Sequence, residues 1–366
     1  MRLIYKNNLK ILALAMLCWT LCTLSGCAFV GPKSISAGRM QYNETINRTE
    51  DEQMLLSIVK SRYGETFSLL AVNGVAASVR FRTNAAVEAG FGPDEDYLGN
   101  LVPFSAGMAY EENPTITYTP IQGEQYLRQL MSPIPLDIVV LVARSETNSS
   151  KFFTFLMNRI NDMENPDFQR TPSGEADLQF KRFVELSKEL DQAGILQLVE
   201  DPGQDAPFDI LISNYSPAYT EVVKEYLTLL GISVPSDESD DIVLPVYFAV
   251  NKGKTGSVAI STRSTYDLIE ILSAAIDIPT EHVEAGFVRD YPEMGLAGKN
   301  LNIRASKDKP KQASVAVKYL GYWFYIDKTD MDTKQFYVMV RTLWSVGIAA
   351  AADEKVAPVL TIPVGG

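Results

Sequence analysis

The chain is 366 residues long and 46% hydrophobic, with 33 basic against 45 acidic residues and a net charge of −12. That length is ample for one large domain or two, and the acidic balance disfavours nucleic acid and anionic membrane surfaces as partners. One histidine and three cysteines leave almost no material for zinc sites or for Ser-His-Asp and Cys-His nucleophiles.

Arg2, Lys6 and Lys10 are the only charges in the first 26 residues. They precede an apolar run, 11–24, and then small residues, the order of an export signal. Basic residues stay on the cytoplasmic side while the apolar run enters the membrane. The run ends in Leu24-Ser25-Gly26-Cys27, which matches a lipobox. The Cys27 thiol is the expected diacylglycerol acceptor, and the small residues before it suit a peptidase. An uncleaved anchor is the alternative, since 11–31 is almost long enough to span a bilayer. Ala28 follows the cysteine, which resembles the default for transfer to the outer membrane in Gram-negative lipoproteins. Cys18 and Cys22 fall in the signal, so the mature chain keeps only Cys27 and forms no disulfide. Its charge is then 30 basic against 45 acidic residues, net −15, so membrane attachment is expected from acyl chains and not from a basic face.

The expected organisation is a signal peptide (1–26), a lipidated tether (27–48), a helix and long hairpin region (49–132) and an α+β domain (133–366). Thr49-Glu50-Asp51-Glu52 fits a capping box, with Leu55, Ile58, Val59 and Tyr63 following on one helical face. From Gly123 the pattern is helical, with Tyr126, Leu127, Leu130 and Met131. Apolar segments 135–144 and 151–160 predict two more helices. A charged amphipathic helix over 174–192 carries Leu178, Phe180, Phe183, Leu186 and Leu190 among its apolar positions. Strands are expected at 195–199, 208–213, 242–250, 256–261, 301–305, 313–318, 321–326 and 358–363. Helices are expected at 217–230, 265–277 and 332–347. The last two carry core stripes: Leu268, Ile271, Leu272, Ala275 and Ile276, then Phe336, Met339, Val340, Leu343 and Trp344. The fold class is α+β: an N-terminal helix, a long amphipathic β-hairpin, then a C-terminal mixed-sheet α+β domain.

Residues 75–118 depart most from the ordinary. Every odd position from Val75 to Phe91 is apolar or Thr, and the even positions are small or polar. That is far beyond the usual strand of about five or six residues. Gly92-Pro93-Asp94 and Gly99-Asn100 mark the break. On the return, Val102, Phe104, Ala106, Met108, Tyr110, Ile116 and Tyr118 share a face, with Pro103 and Pro114 assigned to the other. Pairing Phe91 with Phe104 would set Val87 against Met108, Ala85 against Tyr110 and Val79 against Ile116, with both apolar sets on one side. One outcome is a twisted hairpin lying across the domain core. The other is a membrane-spanning hairpin, since a transmembrane strand needs about 9–11 alternating residues. Its candidate membrane-facing residues are Phe81, Ala85, Val87, Ala89, Phe91, Phe104, Ala106, Met108 and Tyr110, with Glu112 on the lipid side near one edge. Open edges are forbidden in lipid, so that reading requires a ring of subunits. The architecture, though no motif, resembles outer-membrane lipoproteins that assemble export pores, such as the curli-secretion channel.

Other chemistry is sparse. His282, after a turn, is expected at the surface. Gly253-Lys254-Thr255 lacks the earlier glycine and the following helix of a phosphate-binding loop, so 251–256 reads as a hairpin turn. Asp237, Glu238, Asp240 and Asp241 read as a solvated acidic loop, and Lys307, Lys309 and Lys311 as a basic one. The run from Gly321 to Asp327 is the most aromatic. It is either a buried strand or the lining of a sugar cleft. Carboxylate-only hydrolysis has plentiful acids but no singled-out pair.

Three stretches carry a family resemblance. Tyr42-Asn43-Glu44 with Glu52-Gln53-Met54-Leu55-Leu56, the run Gly321 to Asp327, and Pro358-Val359-Leu360-Thr361-Ile362-Pro363-Val364-Gly365 resemble a group of uncharacterised proteobacterial outer-membrane lipoproteins. The resemblance implies lipid anchoring on the periplasmic side of the outer membrane and no assigned activity. The expected function is a non-enzymatic structural or assembly component of an envelope complex, oligomerising through the 75–118 hairpin to form a pore. The expected partners are the membrane, reached through the N-terminal lipid, and other envelope proteins or further copies of the chain. No nucleic acid and no cofactor is expected. The alternative is a periplasmic glycan- or peptidoglycan-binding protein or a carboxylate-dependent hydrolase.

Overall fold

The computed structural model describes residues 30–65, 69–87, 104–121, 124–145, 149–168, 175–200, 208–233, 241–249, 255–353 and 360–363. The signal, the lipobox with Cys27, Ala89, Phe91, Pro103, most of the acidic loop and Gly253-Lys254 lie outside them. The chain divides into two compact units, before and after the Gln53–Met54 junction.

In the first unit the expected tether is helical. Helix α1 spans Val30–Arg62, so Thr49 starts no helix. Its hydroxyl bonds back to the Ile46 carbonyl at 2.9 Å, satisfied within a continuing helix instead of capping a new one. In the second unit, Leu55, Ile58, Val59 and Tyr63 are buried, as their spacing predicts.

Strands β1 (Leu69–Val87) and β2 (Phe104–Ile121) form the long hairpin. Helices α2 (Glu124–Met131), α3 (Leu136–Ser145) and α4 (Ser149–Leu156) follow. Then come β3 (Met157–Ile160), β4 (Met163–Glu164), α5 (Glu175–Gln192), β5 (Leu196–Glu200) and β6 (Phe208–Ile212). A 3-10 turn at Pro217–Tyr219 leads into α6 (Thr220–Leu229), β7 (Ile242–Phe248), β8 (Val258–Thr262) and α7 (Thr265–Ala274). The chain continues through α8 (Thr280–Glu284), β9 (Arg304–Ser306), β10 (Ala313–Tyr319), β11 (Tyr322–Asp327), α9 (Met331–Asp353) and β12 (Leu360–Pro363).

The sheets are three: a six-stranded one in the order β4-β3-β8-β7-β6-β5, a three-stranded one in the order β10-β11-β9, and β1-β2-β12. The fold is α+β with a mixed sheet. The turn expected at 251–256 does not make a hairpin, because β7 and β8 run parallel, with Val246 opposite Val258. Both helical stripes expected on α7 and α9 are buried. On α5, Phe180, Phe183, Leu186 and Leu190 are buried, while Leu178 is exposed.

The helix expected over 151–160 stops halfway, and Arg263 explains why. This side chain is 0% exposed. Its guanidinium donates to the carbonyls of Thr154, Phe155 and Met157 at 3.0, 2.9 and 2.7 Å. Helix ends leave such carbonyls unpaired, and a cation there suits the helix dipole. Nη2 donates to the Asn165 carbonyl at 2.6 Å and Nε to Asp167 at 2.5 Å. With α4 capped in this way, Met157–Ile160 is free to pair with β8. Directly after Arg263, Ser264 and Asp267 form the reciprocal capping box that starts α7. The Asp167 backbone carbonyl accepts from the Gly295 amide at 2.8 Å. A Cβ on Gly295 would come within 2.1 Å of the Pro166 carbonyl, so only glycine fits that approach.

Candidate functional site

The hairpin pairs continuously from Leu69 opposite Ile121 to Val87 opposite Phe104. Its register differs from the sequence expectation. Phe104 meets Val87 and not Phe91; Ala85 meets Ala106, Thr83 meets Met108, Phe81 meets Tyr110 and Val79 meets Glu112. The difference is an even number of residues, so the alternation still places both apolar sets on one face. Phe81, Ala85, Val87, Phe104, Ala106, Met108 and Tyr110 therefore share that face by register. Pro114, opposite Ala77, belongs to the same face and not to the other one. On the opposite face Arg80 stands across from Glu111 by register.

Between Val72 and Gly74 the register slips by one residue. A bulge of this kind flips the alternation of the strand beyond it. Leu70 and Val72 are even-numbered, and without the slip they would fall on the polar face. With it they join Val75 on the apolar side.

Strand β12 adds to β2 antiparallel, with Leu360 opposite Tyr118, Thr361 opposite Thr117, Ile362 opposite Ile116 and Pro363 opposite Thr115. This strand was expected within the domain of 133–366, yet it completes the hairpin sheet. Its pairing ends at Thr115. Among the described residues, the outer edge of β2 from Phe104 to Pro114 and the whole outer edge of β1 carry no partner strand.

The end of α1 is held by a polar and aromatic cluster. Tyr63 follows the last turn of α1, and Gly64, at φ +69, turns the chain out of the helix. The Tyr63 hydroxyl and His282 Nδ1 lie 2.6 Å apart in a buried hydrogen bond. His282 is thus a core residue, contrary to its expected surface position. Four rings surround the pair: Tyr319 and Phe324 on Tyr63, with centroids at 5.1 and 6.1 Å, and Tyr322 and Phe287 on His282, at 5.2 and 6.0 Å. Burial pushes the Tyr63 hydroxyl up to about 12. At the rim the Tyr319 hydroxyl donates to Glu65 and the Tyr322 hydroxyl to Glu281. Lys307 of the basic loop reaches Glu281 at 3.3 Å. The Tyr322 hydroxyl, and after it Lys307, hold the Glu281 carboxyl below its usual range.

On another side of the same helix end, Glu270 accepts from Ser61 at 3.1 Å, Arg289 at 3.1 Å and the Tyr291 hydroxyl at 2.9 Å. Arg62 lies over the Tyr291 ring at 4.7 Å, and the Arg289 amide donates to the Arg62 carbonyl at 2.9 Å. The last turn of α1 is therefore anchored through both side chains and backbone. None of Arg263, Glu270 or Tyr291 stands out in the sequence, because each gains its role from partners distant along the chain.

The aromatic run divides between two faces. Phe324 and Ile326 are buried, while Trp323 and Tyr325 are half-buried on the other face of β11. Trp323 stands opposite Lys318 and Ser306, Tyr325 opposite Arg304, and Lys309 sits 5.2 Å over the Trp323 ring. Among the described residues no group of three or more His, Cys, Asp or Glu is placed to hold a metal ion, and no helix is long and apolar enough to cross a membrane. Comparison with protein-family models, with curated protein sequences and with solved structures finds no match.

Proposed function

We propose that this chain is a non-enzymatic outer-membrane lipoprotein, anchored through Cys27, whose copies assemble into a ring with each contributing its hairpin to a shared transmembrane barrel. The observation that carries this reading is a pairing of 19 and 18 residues whose apolar positions keep to one face through a bulge. A monomeric two-sided sheet gains little from such length, whereas a barrel strand must alternate throughout its span. Two strands leave two edges open, and lipid does not tolerate open edges, so closure by further copies follows from the spanning itself.

The test is the size of the lipidated protein in detergent, by light scattering after size exclusion. An oligomer is expected. Met108→Arg places a charge midway along the apolar face of Phe104–Pro114 in every subunit, at a cost of up to about 2–4 kcal/mol each at the bilayer midplane. It should abolish insertion while the thermal unfolding of the globular part is unchanged. A wild-type monomer released wholly by removing the lipid would refute the proposal, as would normal insertion of Met108→Arg.

A second reading draws on Trp323 and Tyr325, whose half-exposed rings beside Lys309, Lys318 and Arg304 could stack on a carboxylated glycan. Trp323→Ala should then abolish saturable binding of muropeptides. Equal binding by the variant excludes this face.

A further inference from the structure

The hairpin is longer than a membrane crossing, so something must decide which part of it lies in lipid. At a rise of about 3.3 Å per residue, β2 runs for about 60 Å, or about 42 Å of height at a barrel tilt of about 45°. The apolar band of an outer-membrane barrel is only about 25 Å tall. The part of β2 beyond β12, from Phe104 to Pro114, is eleven residues. Its length is about 36 Å, which at the same tilt is about 26 Å of height. The match is to the stretch that β12 leaves free.

We propose that β12 is a stop strand. It occupies the outer edge of β2 over Thr115–Tyr118, so that beyond it toward the hairpin tip a second copy's β1 can pair only with Phe104–Pro114, and its end marks where the shared barrel leaves the membrane. This deepens the pore reading above and rests on it. The second copy is the fitting occupant, because β1 runs antiparallel to β2 within one chain and can do so again between chains. Repeating β1-β2 around a ring closes an up-and-down barrel through one heterologous interface.

Three details agree with a stop at this point. Pro363 is the last paired residue of β12, opposite Thr115, and it lacks the amide with which a strand recruits its next partner. Glu112, the one carboxylate on the apolar face of this stretch, stands three positions inside the stop at Thr115, near the interface, where a charge on a barrel costs least. The bulge at 72–74 lies on the domain side of the stop, where β1 must diverge from a neighbour's β2 to make room for β12. Bulges bend strands in this way.

The experiment uses the full lipidated chain. Its only mature cysteine is Cys27, so an introduced pair reports cleanly. Thr117→Cys with Thr361→Cys places thiols at directly opposed positions. The expected result is a disulfide within one chain, in a complex whose size equals that of wild type. Cross-linked dimers, or loss of the complex when the disulfide forms, would overturn the stop strand, because β12 would then leave β2 to a neighbour. A second measurement needs no change to β12. Single spin labels at Ala106, Met108 and Tyr110 should be accessible to oxygen from lipid, and labels at Ile116 and Tyr118 should not. Lipid exposure continuing through Ile116 would refute the proposal. A complex that forms normally while either result fails leaves the pore reading standing without the stop. A wild-type chain that never oligomerises removes both.

Discussion

Replacing Arg263 tests whether the domain is organised around a buried cation. The guanidinium is fully buried and makes five hydrogen bonds, three to carbonyls at the α4–β3 junction, one to Asn165 and one to Asp167. Arg263→Met keeps much of the apolar stem but removes the guanidinium from four carbonyls and a carboxylate, and among the described residues only the Thr154 and Met157 carbonyls keep a second donor, Asn165 Nδ2, at 2.8 and 2.7 Å. Removing one partner of a buried ion pair costs about 3–5 kcal/mol. Arg263→Lys keeps the charge and loses the fork, for an expected loss of about 1.5–3 kcal/mol, the worth of hydrogen bonds to a charged group. The assay is urea unfolding of the globular part, followed by far-UV dichroism, with thermal melts alongside. For a domain of this size each kcal/mol lowers Tm by about 2–4 °C, so Arg263→Met should melt about 6–20 °C below wild type. The order wild type, Lys, Met is part of the prediction. A Met variant within about 1 kcal/mol of wild type would refute the reasoning, since surface changes alone fall in that range.

The Tyr63–His282 bond gives two more expectations. Tyr63→Phe deletes one hydroxyl and leaves a buried imidazole nitrogen unpaired, an expected cost of about 1–3 kcal/mol in the same urea assay. An unchanged midpoint would show that the bond is idle. The Tyr63 hydroxyl has an ordinary value of 10.0 and is pushed up to about 12 in the fold. The folded state thus favours the protonated form, so this contribution is complete below pH 10 and lost as pH rises from about 10 to about 12. Wild type should lose more stability over that window than Tyr63→Phe does, and equal losses by urea titration would contradict the assignment.

Some of this molecule is legible without its fold, because it is written in short-range periodicity. The alternation of 75–91, the stripes on α7 and α9, and the strands expected at 208–213, 313–318 and 321–326, found at Phe208–Ile212, Ala313–Tyr319 and Tyr322–Asp327, follow from which neighbours two or three and four positions away are apolar. Such patterns say which face is buried. They do not say against what. The hairpin shows the limit most clearly: parity survives any even shift, so the apolar face is readable while the register of Val87 against Phe104 is not. A capping-box pattern at Thr49 is equally local, and it lies within a helix that begins at Val30. The rest depends on partners far apart in sequence. Arg263 meets carbonyls more than a hundred residues away, and His282 meets Tyr63 across 219. Strand β12 returns from the far end of the chain to pair with β2. Neither the burial of a lone histidine nor the docking of a four-residue strand leaves a mark on adjacent residues. Only the closed tertiary structure brings those groups together, and it is their desolvation there that gives each its strength.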